Sequence, residues 1–183
     1  MFQRLLLIFA LISSSVLTQA QDLNRIGLRQ TQILKNYDTF VQAGVPEAAL
    51  RRSLEFFFQS FGRNLRLSAI GHDIHSVAFK NDRYLVIIDF TQSSLNKRFF
   101  LLDLQQGSVE KYYVSHGLNS GGVKAYRFSN IPDSNQTSLG LYLTGPTYMS
   151  PTFKSTAMRL YGIEASNNNV YARQIVMHSA AYA

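Results

Sequence analysis

The clearest chemical signal in the sequence is a histidine closing an apolar run, Val170-Tyr-Ala-Arg-Gln-Ile-Val-Met-His178. Ile175, Val176 and Met177 read as a buried β-strand that delivers His178 at its C-terminal end. The mouth of a sheet is where chemistry is often placed, because the scaffold is rigid and the tip is open. The same spacing also fits a histidine that merely caps a sheet. A second cluster, His72-Asp-Ile-His75, follows Gly71, and His72, Asp73 and His75 are zinc-type donors. No further fixed ligand stands at local spacing, so the expectation is no metal and no cofactor. Arg159 and Arg173 fall on predicted strands, where each can meet a carboxylate of the sheet or of a substrate. The chain has no cysteine, so it has neither a thiolate nor a disulfide.

The elements that must position these residues follow from hydrophobic period. From Leu23 to about Arg63 the pattern is helical, with Ile33, Leu34, Tyr37, Phe40 and Val41 on one face. Gly44 breaks the run and Pro46 restarts it, since proline at a first helical position loses no needed N–H. Leu50, Leu54, Phe57, Phe58 and Phe61 continue the inner face of the second helix, as core rather than as a ligand platform. After Gly71 the period becomes that of strands. Tyr84–Phe90 and Phe99–Leu104 are strong candidates, the second joined through Gln105-Gln-Gly107 to Val109–Val114. Residues 115–138 are polar and rich in Gly, Ser and Asn, too long for a plain connector and so functional or mobile. Leu139–Leu143 returns as a strand, Gly145-Pro146 turns, Met158–Tyr161 is a short strand, and 164–169 is a second polar loop. The fold class expected is mainly β with N-terminal helices (α+β), the helices packed on a mostly antiparallel unit.

With 183 residues, 46% of them hydrophobic, the chain suits one domain with a sizeable core and leaves little room for two. Residues 1–20 read as a signal peptide, with Arg4 before the apolar Leu5–Ile12 and small residues leading to cleavage near Ala20. That run is too short to span a bilayer, which takes about 20 residues. The division expected is 1–20 signal peptide, 21–70 helical region and 71–183 β domain. The mature chain is expected to be exported, to the periplasm or cell envelope, with no membrane span. Without Arg4 it carries 17 basic against 11 acidic side chains, +6, an excess that suits an anionic wall. No interleaved aromatic and basic patch argues for nucleic acid.

From Tyr84 to Tyr182 the chain resembles the murein L,D-transpeptidase catalytic domain family (YkuD-like), cysteine acyltransferases of bacterial cell walls. The resemblance rests on pieces in order. They are Ile87-Ile-Asp-Phe90, Lys97-Arg-Phe-Phe-Leu-Leu-Asp-Leu104, Val114-Ser-His-Gly117 with Ser120-Gly121, and Arg127-Phe-Ser-Asn130. Ser138-Leu-Gly-Leu-Tyr-Leu-Thr144, Tyr148, Met158-Arg-Leu-Tyr-Gly-Ile-Glu164 and Ala172-Arg-Gln-Ile-Val-Met-His178 follow. The helical part is looser, an Ala-Gly-x-x-x-Ala turn from Ala43 to Ala48. The resemblance implies an acyl transfer in which a thiolate attacks an amide carbonyl, a histidine moves protons and backbone N–H groups hold the oxyanion. His178 matches the base. His116, Tyr148, Arg159 and Arg173 are the candidate substrate-binding residues, His116 by shaping the donor-stem cleft and the two arginines with a structural partner in the sheet as the alternative, and the implied partner is the peptidoglycan stem peptide.

The departures are equally specific. The family's Ser-x-Gly-Cys nucleophile motif, which lies beyond the histidine strand, is not in the chain. The glycine that follows the family's histidine is Ser179 here, and a serine would need its own base and oxyanion hole to act. The expectation is therefore an L,D-transpeptidase-like chain truncated before its nucleophile and inactive by itself. A non-catalytic peptidoglycan-binding module is the alternative, and a metal-dependent hydrolase using His72, Asp73 and His75 a second one.

Overall fold

The computed structural model describes residues 27–65, 67 and 77–180. The proposed signal peptide and the His72-Asp-Ile-His75 cluster lie outside the described residues. Residues 27–35 are helical (α1), followed by α2 (Tyr37–Gln42) and α3 (Glu47–Ser60). The strands are β1 (Asn64–Leu65), β2 (Val77–Ala78), β3 (Tyr84–Ile88), β4 (Phe99–Asp103), β5 (Ser108–Tyr112), β6 (Tyr142–Ser150), β7 (Ser155–Gly162) and β8 (Val176–His178). They form a β1–β2 pair and two three-stranded sheets, β3–β4–β5 and β6–β7–β8, antiparallel at every pairing. The architecture is α+β, as the sequence patterning predicts.

The helix break falls where the sequence puts it. Gly44 has φ +85°, a left-handed conformation that costs glycine nothing, and α3 follows directly after Pro46. Leu50, Leu54 and Phe57 of α3 are buried, at the helical spacing of one face. They join Ile33, Phe40 and Val45 and the sheet residues Ile87, Phe100 and Leu102 in one core. Each such side chain contributes about 1.5–3 kcal/mol on burial. The helices and the first sheet thus share a single core. Leu34, expected on the inner face, is 55% exposed, and a turn at Asn36 separates its helix from α2.

Two local expectations are corrected. Gly145-Pro146 does not turn. It lies inside β6, where the register with β7 shifts between Thr144 and Thr147. A bulge is a place in a strand that tolerates a residue without an N–H, and Gly145 leaves room for the Tyr161 ring, which a Cβ there would meet at 2.6 Å. The run Val170–His178 is a strand only at Val176–His178. Residues 165–174 are turns, closed by bonds such as Arg173 N–H to Asn169 O (2.8 Å) and Ile175 N–H to Val170 O (3.1 Å). Asparagine-rich sequence supports such turns locally, and Gln174 takes a positive φ of 56° just before the strand.

Candidate active site and its groove

A groove of about 1910 Å³ separates the two three-stranded sheets, and His116, Arg173 and His178 all line it. Tyr148 and Arg159 do not. The β6–β8 register explains the division. Ala157 pairs with both Tyr148 and His178, and Arg159 pairs with Val176, so Tyr148, Ala157, Arg159 and His178 share one face. Thr147, Thr156, Met158, Leu160 and Met177, which alternate with them, face the groove. His178, on the edge strand β8, borders the groove as well.

His178 is held from two directions. Its ring lies flat on Phe153, with centroids 3.6 Å apart and planes 9° from parallel. Its Nδ1 is 2.9 Å from the Ser179 carbonyl oxygen. A carbonyl only accepts, so Nδ1 carries a hydrogen, and in the neutral ring the lone pair is on Nε2. That tautomer leaves one nitrogen to take a proton while the other is anchored. The contact of the ring with Ser179 is through the backbone carbonyl and not through the hydroxyl.

His116 shows the opposite tautomer. The Arg98 guanidinium donates from Nη2 to His116 Nδ1 at 2.7 Å, and arginine has no acceptor, so His116 must carry its hydrogen on Nε2. Nε2 lies 3.4 Å from the Gly121 carbonyl. Arg98 is fully buried and also bonds Val114 O, from Nε at 3.2 Å and Nη2 at 2.9 Å, and Gln92 O, from Nη1 at 2.9 Å. Its desolvation lowers the guanidinium pKa, while Asp89 acts in the opposite sense. The Asp89 carboxyl is raised by burial, but bonds from Thr91 and Gln92 and the charge of Arg98 outweigh this and hold it below the usual range.

The long polar segment 115–138 is tied to itself and to the groove. Gly117 N–H donates to Thr137 Oγ1 at 2.8 Å and Thr137 N–H to the buried Ser120 Oγ at 2.9 Å. A Cβ at Gly117 would lie 2.5 Å from Asn135 O, so only glycine fits this close approach. Arg173 clamps the far end. Its Nη1 donates to Ser129 O and Ser138 Oγ, both at 2.7 Å, and its Nη2 to Gln136 O at 2.7 Å and Ser134 Oγ at 3.0 Å. Asn130 completes the wall by bonding Ala165 O and Asn168 Oδ1 across to the second loop.

Arg173 sits in a turn rather than on a strand, and its partners are carbonyls and hydroxyls instead of a carboxylate. Arg159 does lie on a strand, over the rings of Tyr148 (4.7 Å) and Tyr171 (5.3 Å), with no carboxylate partner among the described residues. Sequence reasoning missed Phe153, Arg98 and Tyr171. Phe153 lies in the β6–β7 hairpin tip, where no period marks it, and Arg98 looks like an ordinary charge before a strand. Among the described residues no group of three or more His, Cys, Asp or Glu is placed to hold a metal ion, and no helix is long and apolar enough to cross a membrane.

A comparison with curated proteins finds no match, and a comparison with solved structures finds none. A comparison with protein families matches residues 63–183 to the L,D-transpeptidase catalytic domain. That span takes in both three-stranded sheets, the 115–138 segment and His178, and covers well over half of the chain. The chain belongs to the L,D-transpeptidase catalytic domain family.

Proposed function

We propose that this protein binds peptidoglycan stem peptides in the cell envelope, and that His178 occupies the position of the family's proton-transferring group without a nucleophile to serve. The observation that carries this is the His178 geometry, Nδ1–H anchored on the Ser179 carbonyl and Nε2 beside the groove with no hydrogen-bond partner among the described residues. An Nε2 lone pair is what a base needs in order to take a proton from a nucleophile and return it to a leaving amine. The groove wall held by His116 and Arg173 and the Tyr148–Arg159 face are the surfaces offered to the stem. The net charge of +6 without the leader residues favours encounter with an anionic wall.

The family's thioester chemistry requires a sulfur nucleophile, and these residues include none beyond methionine thioether. Ser179 is no ready substitute, since His178 Nδ1 is bonded to its carbonyl and not its hydroxyl. The chain therefore binds wall peptides without forming an acyl-enzyme, and its leader residues 1–20 direct export. The test is a pair of measurements on the purified chain. Co-sedimentation with purified sacculi should retain it. Intact-mass spectrometry after incubation with a carbapenem, which acylates the family's cysteine, should show no adduct. Absence from the sacculus pellet overturns the wall reading, and a carbapenem adduct overturns the reading of the chain as non-acylating.

A further inference from the structure

Among the described residues Arg159 lies over two aromatic rings, whereas Arg127 lies over one, Tyr126 at 5.2 Å. Arg98 and Arg173 have their N–H donors engaged by carbonyls, hydroxyls and an imidazole. Arg29, Arg52 and Arg83 are ion-paired. The Arg159 guanidinium is placed by aromatic rings, Tyr148 at 4.7 Å and Tyr171 at 5.3 Å, and among the described residues it makes no hydrogen bond or ion pair. Ring faces attract a cation without consuming an N–H, so its five donors remain available in a fixed fork. The rings are themselves supported. Tyr171 stacks on Tyr161, with centroids 5.3 Å apart and planes 18° apart, and Tyr161 packs over Gly145 at the β6 bulge.

The position of this fork relative to His178 follows from register. Arg159 is opposite Val176, and Ala157, two residues along β7, is opposite His178 and Tyr148. Side chains two apart on one strand face are separated by about 7 Å. A preorganised, unspent guanidinium one row from the His178 imidazole is suited to bidentate capture of a carboxylate. We propose that Arg159 is the receptor for a carboxylate of a peptide lying along the His178 face of the β6–β8 sheet. The peptide's identity rests on the wall reading above; the carboxylate chemistry does not.

The experiment uses the unaltered chain and two probes, a synthetic stem tetrapeptide with its carboxylates free and the same peptide with them amidated. Calorimetric titration should show the free acid binding at least about tenfold more tightly, the expected effect of losing a charge-assisted pair. Arg159→Gln should abolish the difference and Arg159→Lys should retain part of it. Arg159→Gln removes two cation–π contacts but no hydrogen bond, so its melting temperature should fall by only a few degrees. Equal binding of the two peptides, binding of neither, or a difference that survives in Arg159→Gln overturns the proposal. The amide comparison needs no variant, so it stands even if a variant fails to fold. Sacculus binding with no preference for the acid leaves the wall reading intact and removes this one. A preference for the acid without sacculus binding does the reverse.

Discussion

The His178 imidazole lies face to face on the Phe153 ring at 3.6 Å while its Nδ1–H is tied to the carbonyl of the next residue. Two independent contacts thus fix the ring plane and the Nδ1 hydrogen of the group proposed to occupy the family's proton-transferring position. Phe153 comes from the β6–β7 hairpin and His178 from the edge strand β8, so hairpin packing decides the imidazole's orientation.

Replacing Phe153 by alanine should release that ring. In the proton NMR spectrum of the native chain, His178 ring signals should be shifted upfield by the stacked aromatic, and Phe153→Ala should return them to ordinary positions. Stability should fall by only about 1 kcal/mol, since Phe153 is 40% exposed and a ring pair contributes roughly 0.5–1.5 kcal/mol. Unchanged histidine signals would show that the stack is not populated in solution.

Arg98→Met should be far more damaging. It leaves Val114 O, Gln92 O and His116 Nδ1 without their donor in a buried site, a loss of about 3–5 kcal/mol. Urea denaturation measures the loss, and nitrogen-15 shifts of His116 should report that its fixed Nε2–H tautomer has become mixed. A loss below about 1 kcal/mol would mean that water replaces the guanidinium readily.

Arg173→Ala should free the segment 129–138 while leaving the helical core intact. Limited proteolysis should then cut within that segment, at sites protected in the native chain, because four hydrogen bonds to it are removed at once. Protection unchanged in the variant would show that Asn130 and Thr137 suffice.

Tyr142 supplies a pH dependence with a definite sign. Burial pushes its hydroxyl up to about 12, and the O–H donates to Ser138 O at 2.6 Å. The unfolded chain releases this proton near pH 10 and the folded chain only near 12, so the folded state binds more protons between those values. Its stabilisation is therefore complete below pH 10 and falls as pH rises towards 12, by about 2–3 kcal/mol in all. Denaturation midpoints across that window should drop in the native chain and drop less in Tyr142→Phe. Tyrosinate absorbance of the native chain should show a late-titrating component that Tyr142→Phe removes.

The Arg52–Glu164 pair, which links α3 to the β6–β7–β8 unit, should matter little in itself. The Arg52 side chain is 60% exposed, and solvent screens such a pair to about 0–1 kcal/mol. Glu164 also accepts from Leu141 N–H at 2.8 Å. Glu164→Ala should therefore cost more than Arg52→Ala, and a double-mutant cycle should return a small coupling energy.

What the sequence determined by itself is what depends on local period and composition. The helical face of Leu50, Leu54 and Phe57, the break at Gly44, the hairpin at Gly107 and the strands Tyr84–Ile88 and Phe99–Asp103 were all legible, because neighbouring residues impose them. The order of the motifs from Ile87 to His178 was likewise enough to point to the family. Only the tertiary structure decided which of those residues meet. His116 and His178 look alike in sequence, yet the Nδ1 lone pair of His116 is occupied by Arg98 from another segment, while His178 donates from Nδ1 to the carbonyl of the next residue and takes its ring plane from Phe153 of the β6–β7 hairpin. Arg159 and Arg173 also look alike. One bonds a loop four times and the other is held by two tyrosines, one on β6 and one in the 165–174 turns. Gly145-Pro146 reads as a turn and is a bulge, because the Tyr161 ring across the sheet fills the space that a side chain there would need. Partnership at long range comes from register and packing, and no local pattern encodes it.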